Sequence, residues 1–452
     1  MRQQPEVGDY TLEREIGQGS FGSVRLARHK VIGSSVAIKI IDKEKFVDDD
    51  DLLVRFKREV SILQELVHPY VSEYFDLLED EKMYYLVMEY VENGNLLEFV
   101  NKRGKLNENL AQIYLCQLIS VLEVLHEKLN IVHRDLKAEN ILLDRKLNIR
   151  VIDFGLSNTF TSDSPLLRTA CGSPAYAPPE MVKGQLYSKA SDIWSTGILL
   201  YAMCTGELPF EDENMQRLLQ KIAFTDPIIP PYISNDLQDL LTKMLTKDPN
   251  RRITISQIKE HPWFNMNEYS RLIPYRSDEG INQEIVEQIR KFNIDCSSLE
   301  HELCKKTSSN LAALYRMLKK YKITSQMDNH INNLDSIRPI ILRQNDFNGN
   351  NTPSSPIITG PRRTSFGGMG EAIPTPHLSP KPQRDRNSYD IISPTPVQRM
   401  QKRLMSMGTI KSPSPRNVIP VPQGANSPIN RFRARSSSVR EGSRGDVIQP
   451  II

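Results

Sequence analysis

The sequence predicts an α+β protein of two lobes, a small β-rich lobe ahead of a larger α-rich one, with a short helical module and an irregular tail behind them. Three observations predict this. Apolar and polar residues alternate early in the chain, as half-buried strands require. Apolar residues then recur three or four positions apart, as amphipathic helices require. Finally, composition breaks at Ser325: the last 128 of 452 residues hold 16 of the 29 prolines and carry 17 Lys+Arg against 8 Asp+Glu. The chain is +3 and this segment +9, which leaves −6 for residues 1–324. A mildly acidic globular body with a basic, proline-rich tail follows.

The strands come first. Tyr10-Thr11-Leu12 leads into Gly17-Gln18-Gly19-Ser20-Phe21-Gly22, and Val24 and Leu26 flank Arg25 beyond it. Gly33-Ser34-Ser35 reads as a hairpin turn before Val36-Ala37-Ile38-Lys39-Ile40-Ile41. Leu53, Phe56, Val60, Leu63 and Leu66 keep helical spacing over 52–66, and a β-rich stretch covers 70–91. From 95 to about 264 the segments are mostly helical, with short apolar strands near 141–152. A polar linker, 265–280, precedes a second helical region, 281–322, marked by Ile285, Ile289 and Phe292, then Leu311, Leu314, Met317 and Leu318, with Asp295-Cys296-Ser297-Ser298 as the break. Over 325–452 Asn, Ser, Pro and Arg dominate. Too few apolar residues remain there to offset chain entropy, so the tail is expected to be disordered.

Several classes are excluded. No apolar run approaches ~18 residues, so no membrane span is expected. The N-terminus lacks the apolar core of a signal peptide, position 2 is Arg2, and no prenylation cysteine ends the chain. Five scattered cysteines without a Cys-x-x-Cys pair argue against a disulfide framework or a zinc site. They fit the reducing cytosol or nucleus.

The motifs narrow the chemistry. Gly17-x-Gly19-x-x-Gly22 also opens dinucleotide folds, but there a helix follows the glycines and here a strand does. The alternatives are an ordinary hairpin and a glycine hairpin whose backbone amides cover phosphates. Lys39 sits in an apolar strand. A lysine there often snorkels to solvent, yet Glu59 on the 52–66 helix could hold it toward a phosphate. Then come His133-Arg134-Asp135-Leu136-Lys137-Ala138-Glu139-Asn140, Asp153-Phe154-Gly155 and Ala177-Pro178-Pro179-Glu180, in that order.

This order and spacing resembles the eukaryotic protein kinase family over roughly residues 10–264. The resemblance implies the bilobal protein kinase fold and Ser/Thr kinase activity with ATP and Mg2+ as cofactors. It implies Asp135 and Lys137 as catalytic residues, and Asn140 and Asp153 as magnesium ligands that also bind nucleotide. It places the nucleotide against Ile16, Gly17, Gln18, Gly19, Ser20, Phe21, Gly22, Val24, Ala37, Lys39 and Glu59, with Met88, Glu89 and Val91 at the adenine. It implies Thr169 as the phosphorylated threonine of the activation loop and Arg134 as its partner. Magnesium's taste for hard oxygen ligands suits the Asn140 and Asp153 pair, and a carboxylate such as Asp135 suits a hydroxyl that must lose its proton.

The runs Asp153-Phe154-Gly155-Leu156-Ser157-Asn158 and Leu167-Arg168-Thr169-Ala170-Cys171-Gly172-Ser173-Pro174 look like the AMP-activated and microtubule-affinity-regulating kinases. Ala138 looks like the latter, and 281–322 is similar to their ubiquitin-associated-like helical segment. The resemblance also pairs Glu180 with Arg252. One departure bears on peptide choice. Asn95 stands where basic-directed relatives often have glutamate, which leaves Glu139 and the run Glu211-Asp212-Glu213 as acidic candidates, the latter also readable as a solvated loop. The partners implied are protein substrates, an upstream activating kinase and phospho-dependent binders of the tail, which holds nine Ser/Thr-Pro pairs. No nucleic acid is implied. Two other classes compete: a pseudokinase scaffold, against which the joint presence of Lys39, Glu59, Asp135, Asn140 and Asp153 argues, and an anionic-surface binder, against which the dispersed tail charges argue.

Overall fold

Strands β1 (Glu6–Val7), β2 (Tyr10–Gln18), β3 (Gly22–His29), β4 (Ser35–Asp42), β5 (Tyr74–Glu79) and β6 (Met83–Glu89) form one antiparallel sheet in the order β1-β2-β3-β4-β6-β5. The computed structural model describes residues 5–18, 22–47, 50–154, 158–159, 174–185, 187–267, 280–305 and 308–332. Helix α1 (Asp50–Glu65) joins β4 to β5 and starts two residues before the 52 read from the sequence. Gly33 takes the turn between β3 and β4 with φ +65°. Gly22 has a packing reason to be glycine: a Cβ there would stand 1.8 Å from the Ile40 carbonyl oxygen on β4.

The sheet has two differently used faces. Cross-strand partners share a face, so the register sets Val24 beside Lys39 and Ala37 beside Met88 on one side. The other side carries Ala27, Val36, Ile38 and Val87 into a separate buried cluster with Tyr10, Leu12 and Phe75.

The larger lobe follows. Its helices are α2 (Leu96–Arg103), α3 (Glu108–Glu123), α4 (Pro179–Val182), α5 (Lys189–Thr205), α6 (Met215–Phe224), α7 (Asn235–Met244) and α8 (Ile255–Glu260). Two small ribbons, β7 (Ile131–Val132) with β10 (Asn158–Thr159) and β8 (Ile141–Leu143) with β9 (Ile149–Val151), lie on it. Helices α3 and α5 bury apolar residues on nearly every side, which makes them the axis of this lobe. A buried ion pair ties the segment before α5 to the one before α8: Arg252 Nη1 and Nη2 each donate to Glu180 at 2.8 Å, and Ser191 Oγ bonds the same carboxylate. The pairing expected of these two residues is therefore present.

The last helices are α9 (Gln283–Arg290), α10 (Leu299–Cys304) and α11 (Asn310–Asn332). Here the structure corrects two expectations. Helix α11 continues to Asn332, beyond the boundaries at 322 and 325, because Met327 and Asp328 still find partners on the large lobe. Phe292, expected within a helix, lies past the end of α9 and is exposed. Helix α11 is apolar on two sides. Leu311, Leu314 and Tyr315 pack against Ile285, Ile289 and Leu299 of α9 and α10. Ala313 and Met317 instead cover the back of the sheet. Among the described residues no helix is long and apolar enough to cross a membrane.

Behind the sheet lies a buried charge cluster. Glu73 is 3% exposed, and burial raises its carboxyl to about 7, with Lys320 opposing and Glu89 reinforcing. A carboxyl raised from the ordinary 4.5 stabilises the fold while protonated, and that contribution is lost as pH rises through about 7. Glu73→Gln should therefore gain stability over wild type as pH rises from 5 to 8, by an amount on the order of 3 kcal/mol. Denaturant melts at both pH values check this; a pH-independent difference would contradict it.

Candidate active site

Five elements bring the site together. Lys39, on the front of β4, meets Glu59 of α1 at 3.4 Å, and both side chains are under a tenth exposed. Burial pushes the Glu59 carboxyl up, and Lys39 pulls it partly back. This ammonium is fixed by a partner rather than snorkelling into water.

The loop after β7 carries the expected catalytic residues. Asp135 is 8% exposed, and its Oδ2 accepts from Lys137 Nζ at 2.7 Å and from Asn140 Nδ2 at 2.9 Å. Asn140 Nδ2 also donates to the Asp135 carbonyl at 2.9 Å. Both partners are acceptors only, so the amide orientation is forced, and the Asn140 carbonyl oxygen is turned away from Asp135. That oxygen and the Asp153 carboxylate are the hard donors a magnesium ion wants, so the residues present fit the ion. Among the described residues a Cβ on Gly17 would meet nothing within 4 Å, which leaves room at that position.

The backbone here is strained. Arg134 has φ +71° and Asp153 φ +65°. For residues other than glycine each costs roughly 1–3 kcal/mol, and such strain persists only where the surroundings over-determine it. Asp192 of α5 supplies much of that determination. It is fully buried, its Oδ2 accepts from His126 Nε2 at 2.8 Å and from the His133 amide at 2.9 Å, and its Oδ1 accepts from the Arg134 amide at 3.0 Å. Burial pushes its carboxyl up, but the His126 hydrogen bond and the other donors outweigh that and leave it below the ordinary value. His133 is held neutral by burial, so its Nδ1 can accept from the Asp135 amide at 3.3 Å, and its ring packs 4.8 Å from Phe154. His126 thus bonds a buried carboxylate, and His133 packs on Phe154 and accepts from the backbone. No group of three metal-ligating side chains exists among the described residues.

The remaining expected residues fall around this centre. Ile16 and Val24 are half-buried on β2 and β3, Ala37 is buried beside half-buried Met88, and Gln18 pairs with Ser23. Glu89 ends β6, and Val91 is buried just beyond it, where the chain crosses between lobes. Arg134 holds its guanidinium 5.6 Å from the Tyr187 ring, and Tyr187 Oη donates to the Arg134 carbonyl. Gly19, Ser20, Phe21 and Thr169 lie outside the described residues.

The acidic candidates separate. Asp212 is taken by Lys221 at 3.0 Å and by the Asn214 amide, so it builds its own loop. Asn95 caps α2, accepting from the Glu98 amide. Glu139 stays beside the catalytic loop, its carboxyl raised by burial.

Asp192, Tyr187 and Arg150 escaped the reading of the sequence. Asp192 and Arg150 did carry a signal, a charge inside an apolar stretch (Ser191-Asp192-Ile193-Trp194 and Ile149-Arg150-Val151), whereas Tyr187 carried none.

Known proteins are similar to this chain. The protein kinase domain family matches residues 10–264. The chain is 43% identical over 281 residues to a probable serine/threonine-protein kinase of Dictyostelium discoideum, covering 62% of this chain and 33% of that protein. It is 38% identical over 315 residues to the SNF1-related protein kinase catalytic subunit alpha KIN12 of Arabidopsis thaliana, covering 69% of this chain and 63% of that protein. The chain thus spans a third of the first relative's length and a little under two thirds of the second's.

Asp192→Asn would turn an amide nitrogen toward one of the donors that now face the carboxylate. It should cost roughly 1.5–3 kcal/mol of stability, the worth of a hydrogen bond to a charged group. Chemical denaturation reads this directly, and an unchanged midpoint would contradict the anchoring role.

Proposed function

The chain belongs to the protein kinase family, and on that premise we propose that it is an active serine/threonine protein kinase, transferring the γ-phosphate of ATP to protein hydroxyls. The observation that carries this reading is the formed Lys39–Glu59 pair, together with Asp135 bonded at once by Lys137 and Asn140. A scaffold without catalysis has no need of that geometry.

In this reading Asp135 orients the attacking hydroxyl and takes its proton. Lys137, 2.7 Å from that carboxylate, adds a cation where negative charge builds up on the transferred group. Lys39, fixed by Glu59, holds phosphate oxygens, and Ile16, Val24, Ala37, Met88 and Val91 offer apolar surface to the base. Asp153 and the Asn140 carbonyl oxygen would hold magnesium, which when bound neutralises phosphate charge. Phosphoryl transfer asks the protein for positioning and charge more than for covalent chemistry, and these residues supply both.

Resemblance to the AMP-activated-like kinases supports further parts of the proposal. Phosphorylation of Thr169 by an upstream kinase places up to two negative charges where Arg134 can bind them in a bidentate way. Arg134 precedes Asp135, so ordering that segment steadies the catalytic carboxylate. Substrates carry an upstream arginine that faces Glu139, read less strictly than in relatives with glutamate at the Asn95 position. Residues 281–322 are the ubiquitin-associated-like module, the Ser/Thr-Pro sites of the tail recruit phospho-dependent binders, and the protein works in the cytosol or nucleus.

Lys39→Met should leave the fold intact and reduce phosphoryl transfer below about a tenth of wild type, about 1.4 kcal/mol of barrier. A steady-state assay on a folded variant that keeps more than that would sink the assignment. After treatment with an activating kinase, Thr169→Ala should be at least about tenfold slower than wild type, and Arg134→Ala should add little to it, since both remove one interaction. Equal rates for Thr169→Ala and wild type would refute the switch.

A further inference from the structure

One side chain of α11 reaches the connection between the lobes, and nothing in the kinase chemistry above uses it. Lys320 is 4% exposed. Its ammonium donates to the carbonyls of His68 at 2.8 Å, Pro69 at 3.2 Å and Val71 at 2.6 Å, and lies 3.3 Å from Glu89 Oε2. Four oxygens around three protons describe a built site for a cation.

Glu89 is the residue this cation steadies. Its other carboxylate oxygen accepts from Arg150 Nε at 2.9 Å, and Oε2 also accepts from the Glu73 amide at 3.2 Å. The Glu89 amide donates to the Glu73 carbonyl at 2.9 Å. Side chain and backbone of Glu89 are thus fixed from behind at the point where β6 gives way to the crossing segment. Burying these charges is unfavourable unless each is paired, and Lys320 completes the pairing from outside the two lobes. Adhesion of α11 does not require it. Ala313 and Met317 fill the back of the sheet, Arg316 donates to the Phe75 carbonyl at 2.8 Å, and Asp328 meets Lys146 at 2.7 Å.

We propose that Lys320 is a positioning residue for the nucleotide: by fixing the Glu89 side chain from α11, it sets the peptide of the interlobe connection against which the adenine lies. The proposal rests on the ATP site placed at Met88, Glu89 and Val91 above.

The test compares full-length wild type with Lys320→Met, Glu73→Gln and the double variant Lys320→Met/Glu73→Gln. The double variant removes one buried carboxylate along with the ammonium, which protects the fold if the single variant unfolds. Each is measured for its dissociation constant with a fluorescent ATP analogue, for KM(ATP) and kcat, and for its melting temperature. Lys320→Met and the double variant should both bind the analogue about tenfold more weakly, about 1.4 kcal/mol. KM(ATP) should rise to match, kcat should stay within about twofold, and Glu73→Gln alone should bind as wild type does. A double variant with wild-type affinity would overturn the proposal and leave charge balance as the role of Lys320. So would a fall in kcat with KM(ATP) unchanged. Wild type that binds no analogue at all would instead overturn the ATP site itself.

Discussion

A single buried carboxylate holds the loop that carries Asp135, the proposed general base, which must meet a mobile hydroxyl without itself wandering. Asp192 sits at the core of the large lobe with no exposure and collects one side-chain and two backbone donors. Two of these are consecutive amides, of His133 and Arg134, and Arg134 is in a left-handed conformation that an arginine does not choose. The anchor is placed in α5, whose apolar sides fix it before any ligand arrives. From it follow the Arg134 turn, the seat of Asp135 and the direction in which Lys137 and Asn140 close upon that carboxylate.

The small lobe answers with a second set of buried charges. Lys39 and Glu59 link sheet to helix on the front face, while Glu89, Arg150 and Lys320 link sheet, large lobe and α11 on the back. Ion pairs of this kind add little net stability, because desolvation offsets much of their attraction. Their value lies in geometry: a partner lost leaves a charge uncompensated, so alternative arrangements are excluded. The connection between lobes is therefore held from two sides, and α11 belongs to the architecture of the catalytic unit as well as to its own three-helix cluster.

Much of this was legible in the sequence. Alternation around Val24, Leu26 and Lys39 gave strands, and spacing from Leu53 to Leu66 gave the helix that carries Glu59, because both periods report directly on which face is buried. The order of Asp135, Asn140 and Asp153 marked the site. What stayed hidden depends on contacts distant in the chain. The last turns of α11, past 322, are polar in sequence, and the partners of Met327 and Asp328 on the large lobe explain why they remain helical. Phe292 reads as part of the helical region because apolar spacing cannot tell a helix face from the exposed residue just after it. Lys320 stands in Lys319-Lys320-Tyr321-Lys322, a run that reads as a solvated face until the fold brings His68, Pro69 and Val71 around one of its amines.

Phosphoryl transfer is the activity on which every proposed role converges. The direct measurement is Mg-ATP-dependent incorporation of phosphate into a serine-containing basic peptide by the full-length protein, with Asp135→Asn as the blank. The geometry around Asp135 predicts transfer by wild type, in its upstream-phosphorylated form, and essentially none by the variant, with both proteins equally folded. Absence of transfer by phosphorylated wild type, or equal transfer by Asp135→Asn, would contradict it.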